Sequence, residues 1–587
     1  MELAERRRQL GMALGRLEAG QWQQTEEACG RLLARDAVDV EALLLLGLSV
    51  AARGQTQRAA AILDRVARER PHGAHPCADL TALLPRFTRT QITAQYRACL
   101  RMAPEDLRLR QAFASFFQEA GDPEAAVALL REGLQLHPNS AVAQHAMGLA
   151  LAELGHNEEA IWHFNQAVTT DPRQAASWAN LGLLLKVERQ FDRAVAAYAR
   201  AVAIAPSDAQ IRVNRSVALL QAGRWAEAWT DFEWRLHIKG AVTLPLELLL
   251  PAVSEAGDLT DRTVLLTHEE GFGDTLQFLR YAPLLAKLGA RVLAWVPEPL
   301  VRLTRTVPGI AAVFTGDGAP PAFDFHCPFV SLARVFGTTV TTVPRAPYLA
   351  ADPALAAVWA ERLPAATMRV GLTWAGQTRP WLPGFATVDR RRSAGLAAFA
   401  PLASVRGVQF VSLQTGAAAE QIRRMLGEAA PSEQALAGPA LARPAFAGPG
   451  LAGIVSAVVG PPRGMAAGAM QAERAAAKAI PGWGAPIYDP MGQVEDFADT
   501  AAIIANLDLV VSVDTAVVHL AGAMGKPVFL LDRYDNCWRW LSGRTDSPWY
   551  PGVTIFRQQK LGDWTAPMER ATAALQAMAA WRGAGDT

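Results

Sequence analysis

At 587 residues the chain is too long for one hydrophobic core and calls for roughly three or four domains. Lys and Arg number 57 against 56 Asp and Glu, a net charge of +1, which excludes global steering toward nucleic acid or an anionic membrane and leaves any anion site local. The five cysteines, Cys29, Cys77, Cys99, Cys327 and Cys537, stand far apart with no CxxC spacing, which excludes a disulfide framework and a zinc site and fits a reducing compartment. The opening stretch MELAERRRQLGMALGRLEAG has no apolar signal core, and no run reaches the ~18 apolar residues of a transmembrane segment. The expectation is a cytoplasmic protein.

Prolines at Pro71, Pro104, Pro138, Pro172 and Pro206 are separated by 33, 34, 34 and 34 residues. In phase with them, Gly20, Gly54, Gly121, Gly155 and Gly223 stand five residues before Thr25, Ala59, Ala126, Ala160 and Ala228, while Arg189 before Ala194 keeps the spacing without the glycine. Each unit reads as two amphipathic helices. The first ends near the glycine, a small residue marks the close crossing of the second, and the proline closes the unit. The segment AMGLALAELGHNEEAIWHFNQAVTTDP carries the full pattern, which resembles the tetratricopeptide repeat over residues 7–238. Such arrays form a superhelix whose groove takes an extended peptide or a partner surface, or else serve as a spacer or dimerisation arm. Trp162, Phe164, Trp178, Tyr198, Trp225, Trp229 and Trp234 read as core between repeats.

Periodicity is lost between Lys239 and Asp261, where Pro245 and Pro251 mark a linker. Val264 to Thr267 then reads as a strand, His268 to Asp274 as a glycine-bearing loop, Thr275 to Leu288 as a helix and Arg291 to Val296 as the next strand. GFGD is no dinucleotide fingerprint, because Leu276 occupies the third glycine position. Gly271 and Gly273 let the backbone bend and a substrate come close. Asp274 is either a base or a helix cap. Strands follow at Asp324 to Val330 and at Arg369 to Trp374, the second opening another doubly wound half.

Arg390, Arg391 and Arg392 precede Ser393 and a helix, and either clamp phosphate oxygens or form a solvated charge run. Val408 to Gly416 is the next strand and turn. Residues 417–483 are dominated by Ala, Gly and Pro and read as a poorly ordered insertion. Two strands, Leu507 to Val513 and Lys526 to Leu531, flank a short helix begun by Asp514 and Thr515. Such a helix start offers unpaired N–H groups to a diphosphate, although Asp514 is also an ordinary cap. The tail holds Trp538, Trp540, Trp549, Tyr550 and Trp564, aromatic residues expected to line or close a cleft.

Taken in order, EEGFGDTLQFLRYAPLL, GLTWAGQ with DRRRS, FADTAAIIANLDLVVSVDTAVVHLAGAMGKP, and WRWLSGRTDSPWYP with FRQ and GDW resemble the family 9 glycosyltransferases of the heptosyltransferase type, joined here to tetratricopeptide repeats. The resemblance implies an α + α/β protein, an all-α repeat superhelix followed by a two-Rossmann GT-B module. The expected domains are repeats over 1–238, a linker over 239–261, an acceptor-side half over 262–365 and a donor-side half over 366–587. It implies transfer from a nucleotide-diphosphate sugar, with inversion and without a required metal or other cofactor. Asp274 matches the family's general base, and Gly271 and Gly273 shape its loop. Asp514 and Thr515 match the donor motif, His519 accompanies them, and Arg390 and Arg392 lie near the family's basic residue for donor phosphate. The acceptor expected in the repeat groove is a protein or glycan. The alternative is a non-catalytic repeat scaffold carrying a degenerate transferase fold.

Overall fold

The computed structural model describes residues 3–65 apart from 56, 57, 60, 63 and 64, residue 100, residues 104–238, residues 244–377 apart from 270 and 317, residues 389–426 and residues 487–585. Pro71, Cys77, Cys99 and the greater part of the expected insertion lie outside the described residues.

The repeats are pairs of antiparallel helices, among them Pro123–Leu136, Ala141–Glu153, Asn157–Thr170, Ala175–Val187, Phe191–Ile204, Ala209–Gln221 and Trp225–Phe232. Asp122, Ser140 and Asp208 cap their helices by accepting first-turn N–H groups. The glycine comb has a backbone cause: Gly20, Gly121, Gly155 and Gly223 turn between helices with φ of 70°, 75°, 80° and 78°. Arg189 takes the same left-handed turn at φ 59° with a side chain attached. Close crossings recur at the repeat spacing. A Cβ on Gly148 would stand 2.8 Å from the Phe164 ring, and one on Gly182 would stand 2.9 Å from the Tyr198 ring.

The chain divides into two compact units, Met1–Leu181 and Gly182–Pro461 with Ala469–Thr587. The division falls inside the helix Ala175–Val187, not in the 239–261 linker. The second unit therefore holds the last repeat helices together with both sheets.

The α/β part is two parallel sheets. The first, ordered β3-β2-β1-β4, is built from β1 (Thr263–Thr267), β2 (Arg291–Trp295), β3 (Ile310–Phe314) and β4 (Phe325–Pro328). The second, ordered β10-β9-β8-β5-β6-β7, is built from β5 (Met368–Thr373), β6 (Val408–Ser412), β7 (Ile487–Tyr488), β8 (Leu509–Val513), β9 (Val528–Asp532) and β10 (Val553–Arg557). Two parallel sheets flanked by helices make the Rossmann-like halves of a GT-B-like module. The core of the second half gathers Val370, Leu372, Phe410, Val511 and Leu531 from the sheet with Leu575 of the helix Thr565–Gly585.

Three expectations change. The helix expected over Thr275 to Leu288 starts three residues earlier, at Phe272, and breaks into Phe272–Phe278, a tight turn Leu279–Tyr281 and Ala282–Lys287. Pro283 explains the break, since its nitrogen cannot donate and its ring crowds the carbonyl one turn back. The expected insertion is regular at its beginning: Gly416–Ala419 is a 3-10 turn and Glu420–Leu426 a helix, which buries Ile422. Of the rings expected as core between repeats, Trp162 is 55 % exposed, and Trp225 and Trp229 pack instead against Trp538 and Trp549 of the tail. Trp225 stacks on Trp549 at 5.0 Å, and Trp538 packs edge-on to Trp225 and Trp229 at 6.1 and 6.0 Å. The Trp229 indole N–H donates to the Thr338 carbonyl at 2.6 Å, and Gln221 donates to the Asn536 carbonyl at 2.8 Å. These large rings bind the last repeat to the α/β halves because each removes on the order of 200 Å² of mostly apolar surface from water.

Candidate active site

In a parallel sheet the strand ends that carry carbonyl groups open onto the ligand crevice. β1 delivers the chain to the turn before the Phe272–Phe278 helix, and Asp274 is the third residue of that helix. Its Oδ2 accepts the Gly271 N–H at 3.0 Å, so it does cap, but from inside the helix and not ahead of Thr275 as the sequence suggested. Its Oδ1 accepts from the Arg539 guanidinium, which arrives from the loop after β9. Arg539 also donates to the Gln277 side-chain carbonyl at 2.7 Å and lies over the Trp538 ring at 4.4 Å. Asp274 is thus held by two donors while its side chain keeps 16 % exposure. Each carboxylate oxygen retains a further lone pair for an approaching hydroxyl.

The donor-side turn lies directly against this helix. A Cβ on Gly273 would stand 2.8 Å from His519 Cδ2 and 3.5 Å from the Ala516 Cα, so the missing side chain is what lets the Phe272–Phe278 and Ala516–Ala523 helices touch. His519 is buried. It stacks on Trp540 at 5.3 Å, and its Nδ1 meets the Tyr550 hydroxyl at 3.0 Å. Burial first, and the Arg539 charge second, push its pKa down to about 3, so it is a neutral ring that braces the helix. Thr515 is the N-cap residue in extended conformation, yet its hydroxyl turns to Ser512 Oγ at 3.1 Å and caps nothing. The first-turn N–H groups are therefore not taken by the Thr515 side chain.

Asp514 is not the cap either. The pairing Val513↔Leu531 sets it level with Asp532 at the end of β9. Burial, with the Asp514 charge adding to it, raises Asp532 to about 6 against the opposing pull of Arg557, whose Nε donates to Asp532 Oδ2 at 2.7 Å. The arginine cluster divides. Arg392 pairs with the buried Asp389 at 2.9 Å and donates to the Gln377 carbonyl at 3.1 Å, its guanidinium lying against Gly376, while Arg390 is exposed. Arg391 reaches across to Asp535 after β9 at 3.0 Å. Lys186 of the last repeats is buried nearby, where desolvation lowers it to about 8 against the Asp535 charge.

Sequence reasoning placed Asp274, Gly271, Gly273, Asp514, Thr515 and His519, and the structure brings these together. It missed Arg539, Asp532, Asp535 and the role of the Tyr550 hydroxyl. Arg539 and Tyr550 stood in a tail read only for its aromatic rings, and WRW offered an arginine between two of them as the one available signal.

Residues 10–74, 112–175, 145–208 and 179–233 match the tetratricopeptide repeat, and residues 466–560 match glycosyltransferase family 9 (heptosyltransferase). This chain joins tetratricopeptide repeats to a family 9 glycosyltransferase domain. The transferase match includes Asp514, Thr515, His519 and Arg539, whereas Asp274, Arg390 and Arg392 lie outside it. Protein FlbA of Caulobacter vibrioides is 27 % identical over 406 residues, covering 64 % of this chain and 56 % of that protein. The chain thus spans about half the length of this relative. Among solved structures, MamA is 22 % identical over 25 % of this chain and 86 % of its own, with a TM-score of 0.24. PilF of Pseudomonas aeruginosa is 20 % identical over 36 % of this chain and 95 % of its own, with a TM-score of 0.26. No helix among the described residues is long and apolar enough to cross a membrane.

Proposed function

We propose that the protein moves a sugar from a nucleoside-diphosphate donor to a hydroxyl of a protein or glycan held by the repeats, with Asp274 as general base and with inversion at the anomeric carbon. The observation that carries this reading is the contact of Gly273 with His519, which sets the Asp274 helix against the Asp514–Thr515 turn. In the proposed step the acceptor oxygen attacks the anomeric carbon as its proton passes to an Asp274 carboxylate oxygen. The bond to the diphosphate breaks on the opposite face. Charge on the leaving diphosphate meets the N–H groups that open the Ala516–Ala523 helix, with Arg390, Arg391 and Arg392 on the flank. One base and one stabilised leaving group suffice, so the scheme uses no metal and no cofactor beyond the sugar nucleotide. Arg539 fixes the orientation of the carboxylate, and such positioning supplies much of the rate. The free thiols of Cys29, Cys327 and Cys537 support a reducing, cytoplasmic setting.

The test is a thermal-shift screen of nucleotide sugars on the full chain, followed by transfer assays with Asp274→Asn. Donor affinity should stay within a fewfold of wild type, while transfer falls by roughly a hundredfold or more, the scale of general-base catalysis. Near-wild-type transfer removes Asp274 from the role, and a product that retains the donor's anomeric configuration removes the single displacement. The Arg539 pair, which occupies Asp274 Oδ1, favours a second reading, a binding scaffold without catalysis. Donor binding by a protein that gives no transfer to any acceptor would select it.

A further inference from the structure

Four arginines from four separate segments line a cleft of about 300 Å³ beside β10, and of them Arg557 alone was met above, as the partner of Asp532. Arg189 comes from the turn between two repeat helices, Arg544 from the loop before β10, Arg557 from the end of β10, and Arg570 from the helix Thr565–Gly585. Gln558 and Gln559 also line it. Asp546 answers Arg544 and Asp532 answers Arg557, at 2.5 and 2.7 Å. The other two meet no carboxylate among the described residues. Arg189 lies over the Tyr534 ring at 5.6 Å, and Arg570 donates to the Arg557 carbonyl at 2.8 Å. The cleft therefore keeps an excess of two positive charges in a chain whose net charge is only +1.

The chain beside this charge is fixed in place: Gln558 Oε1 accepts the N–H groups of Tyr534 and Gly562 at 3.1 and 3.2 Å. Arg189 adds to this, because it holds the left-handed turn that glycine holds in the neighbouring repeats while directing a guanidinium at the cleft.

We propose that this cleft binds a phosphoryl group, carried by a small phosphate ester or a diphosphate, as a second anion site. Planar guanidinium forks arriving from several directions suit a tetrahedral oxyanion with three or more oxygens better than a flat carboxylate with two. The proposal stands apart from sugar transfer, since no residue of the cleft touches Asp274 or Asp514.

The probe is inorganic pyrophosphate, titrated calorimetrically into the full chain at moderate salt, with citrate as the carboxylate control. Arg189→Gly restores the residue used at this turn elsewhere in the array, so it should fold with an unchanged or higher melting temperature. It should bind pyrophosphate about tenfold more weakly, the loss of one charge-assisted contact. Arg570→Ala should weaken binding similarly, and citrate should bind much more weakly than pyrophosphate in the wild type. Absence of pyrophosphate binding overturns the proposal, as does equal binding of citrate. Pyrophosphate affinity unchanged in Arg189→Gly also overturns it, because the ion would then sit elsewhere, such as the Asp514 turn.

Discussion

Gly273 is a residue whose smallness does a measurable job. Gly273→Ala drives a methyl into His519 Cδ2, and that ring cannot yield because it is pinned between Trp540 and Tyr550. The expected cost is about 1–3 kcal/mol, read as a lower denaturation midpoint, the usual scale for overpacking. The His519 ring also sets a pH dependence. Its folded pKa of about 3 lies below the ordinary 6.5, so the unfolded chain binds the proton first as pH falls. Stability should be level above about pH 6.5 and drop toward pH 3 by up to ~1.4 kcal/mol per unit, and His519→Gln should flatten that slope in urea titrations. Glycine spacing and a polar strand-to-helix turn made Gly273 and Asp274 legible from sequence. Arg539 was not, because it lies 265 residues away from the carboxylate it holds and no local pattern records a pairing across two sheets.

Strands buried on both faces announced themselves as short β-branched runs, and β1, β2, β5, β6, β8 and β9 are all where such runs stand. β3, β7 and β10 escaped notice for physical reasons. β3 is half exposed, β7 is two residues long, and β10 is a five-residue run broken by the exposed Thr554 inside a tail dominated by aromatic residues. The repeat helices were legible because their turns demand φ > 0 every 34 residues or so, a constraint written in glycine. What the helical period could not tell was which neighbour an aromatic ring faces. Trp225 and Trp549 meet across more than three hundred residues of chain, face to face at 5.0 Å. Replacing either by Ala should cost about 3–5 kcal/mol of stability in the second compact unit. A double-mutant cycle on the pair should return a coupling of ~0.5–1.5 kcal/mol, the range for stacked rings.

For the molecule as a whole, the compact division at Leu181 and Gly182 has a practical meaning. A fragment of residues 182–587 should melt cooperatively, whereas one cut at the linker, residues 262–587, bares Trp538 and Trp549 and loses the Trp229 bond to Thr338. The shorter fragment should bind more of a hydrophobic dye and melt lower, and equal melting of the two would show that the last repeat adds nothing to the α/β halves. The Gly273–His519 contact also has a mechanical side. The halves meet at more than this one point: the Tyr348 N–H donates to the Ala523 carbonyl at 2.9 Å, and Arg302 pairs with Asp499 at 3.3 Å. Contacts spread over several elements resist rocking as well as sliding. The short span between Asp274 and the Ala516 turn is then held like a keystone, at a length fixed before any ligand arrives.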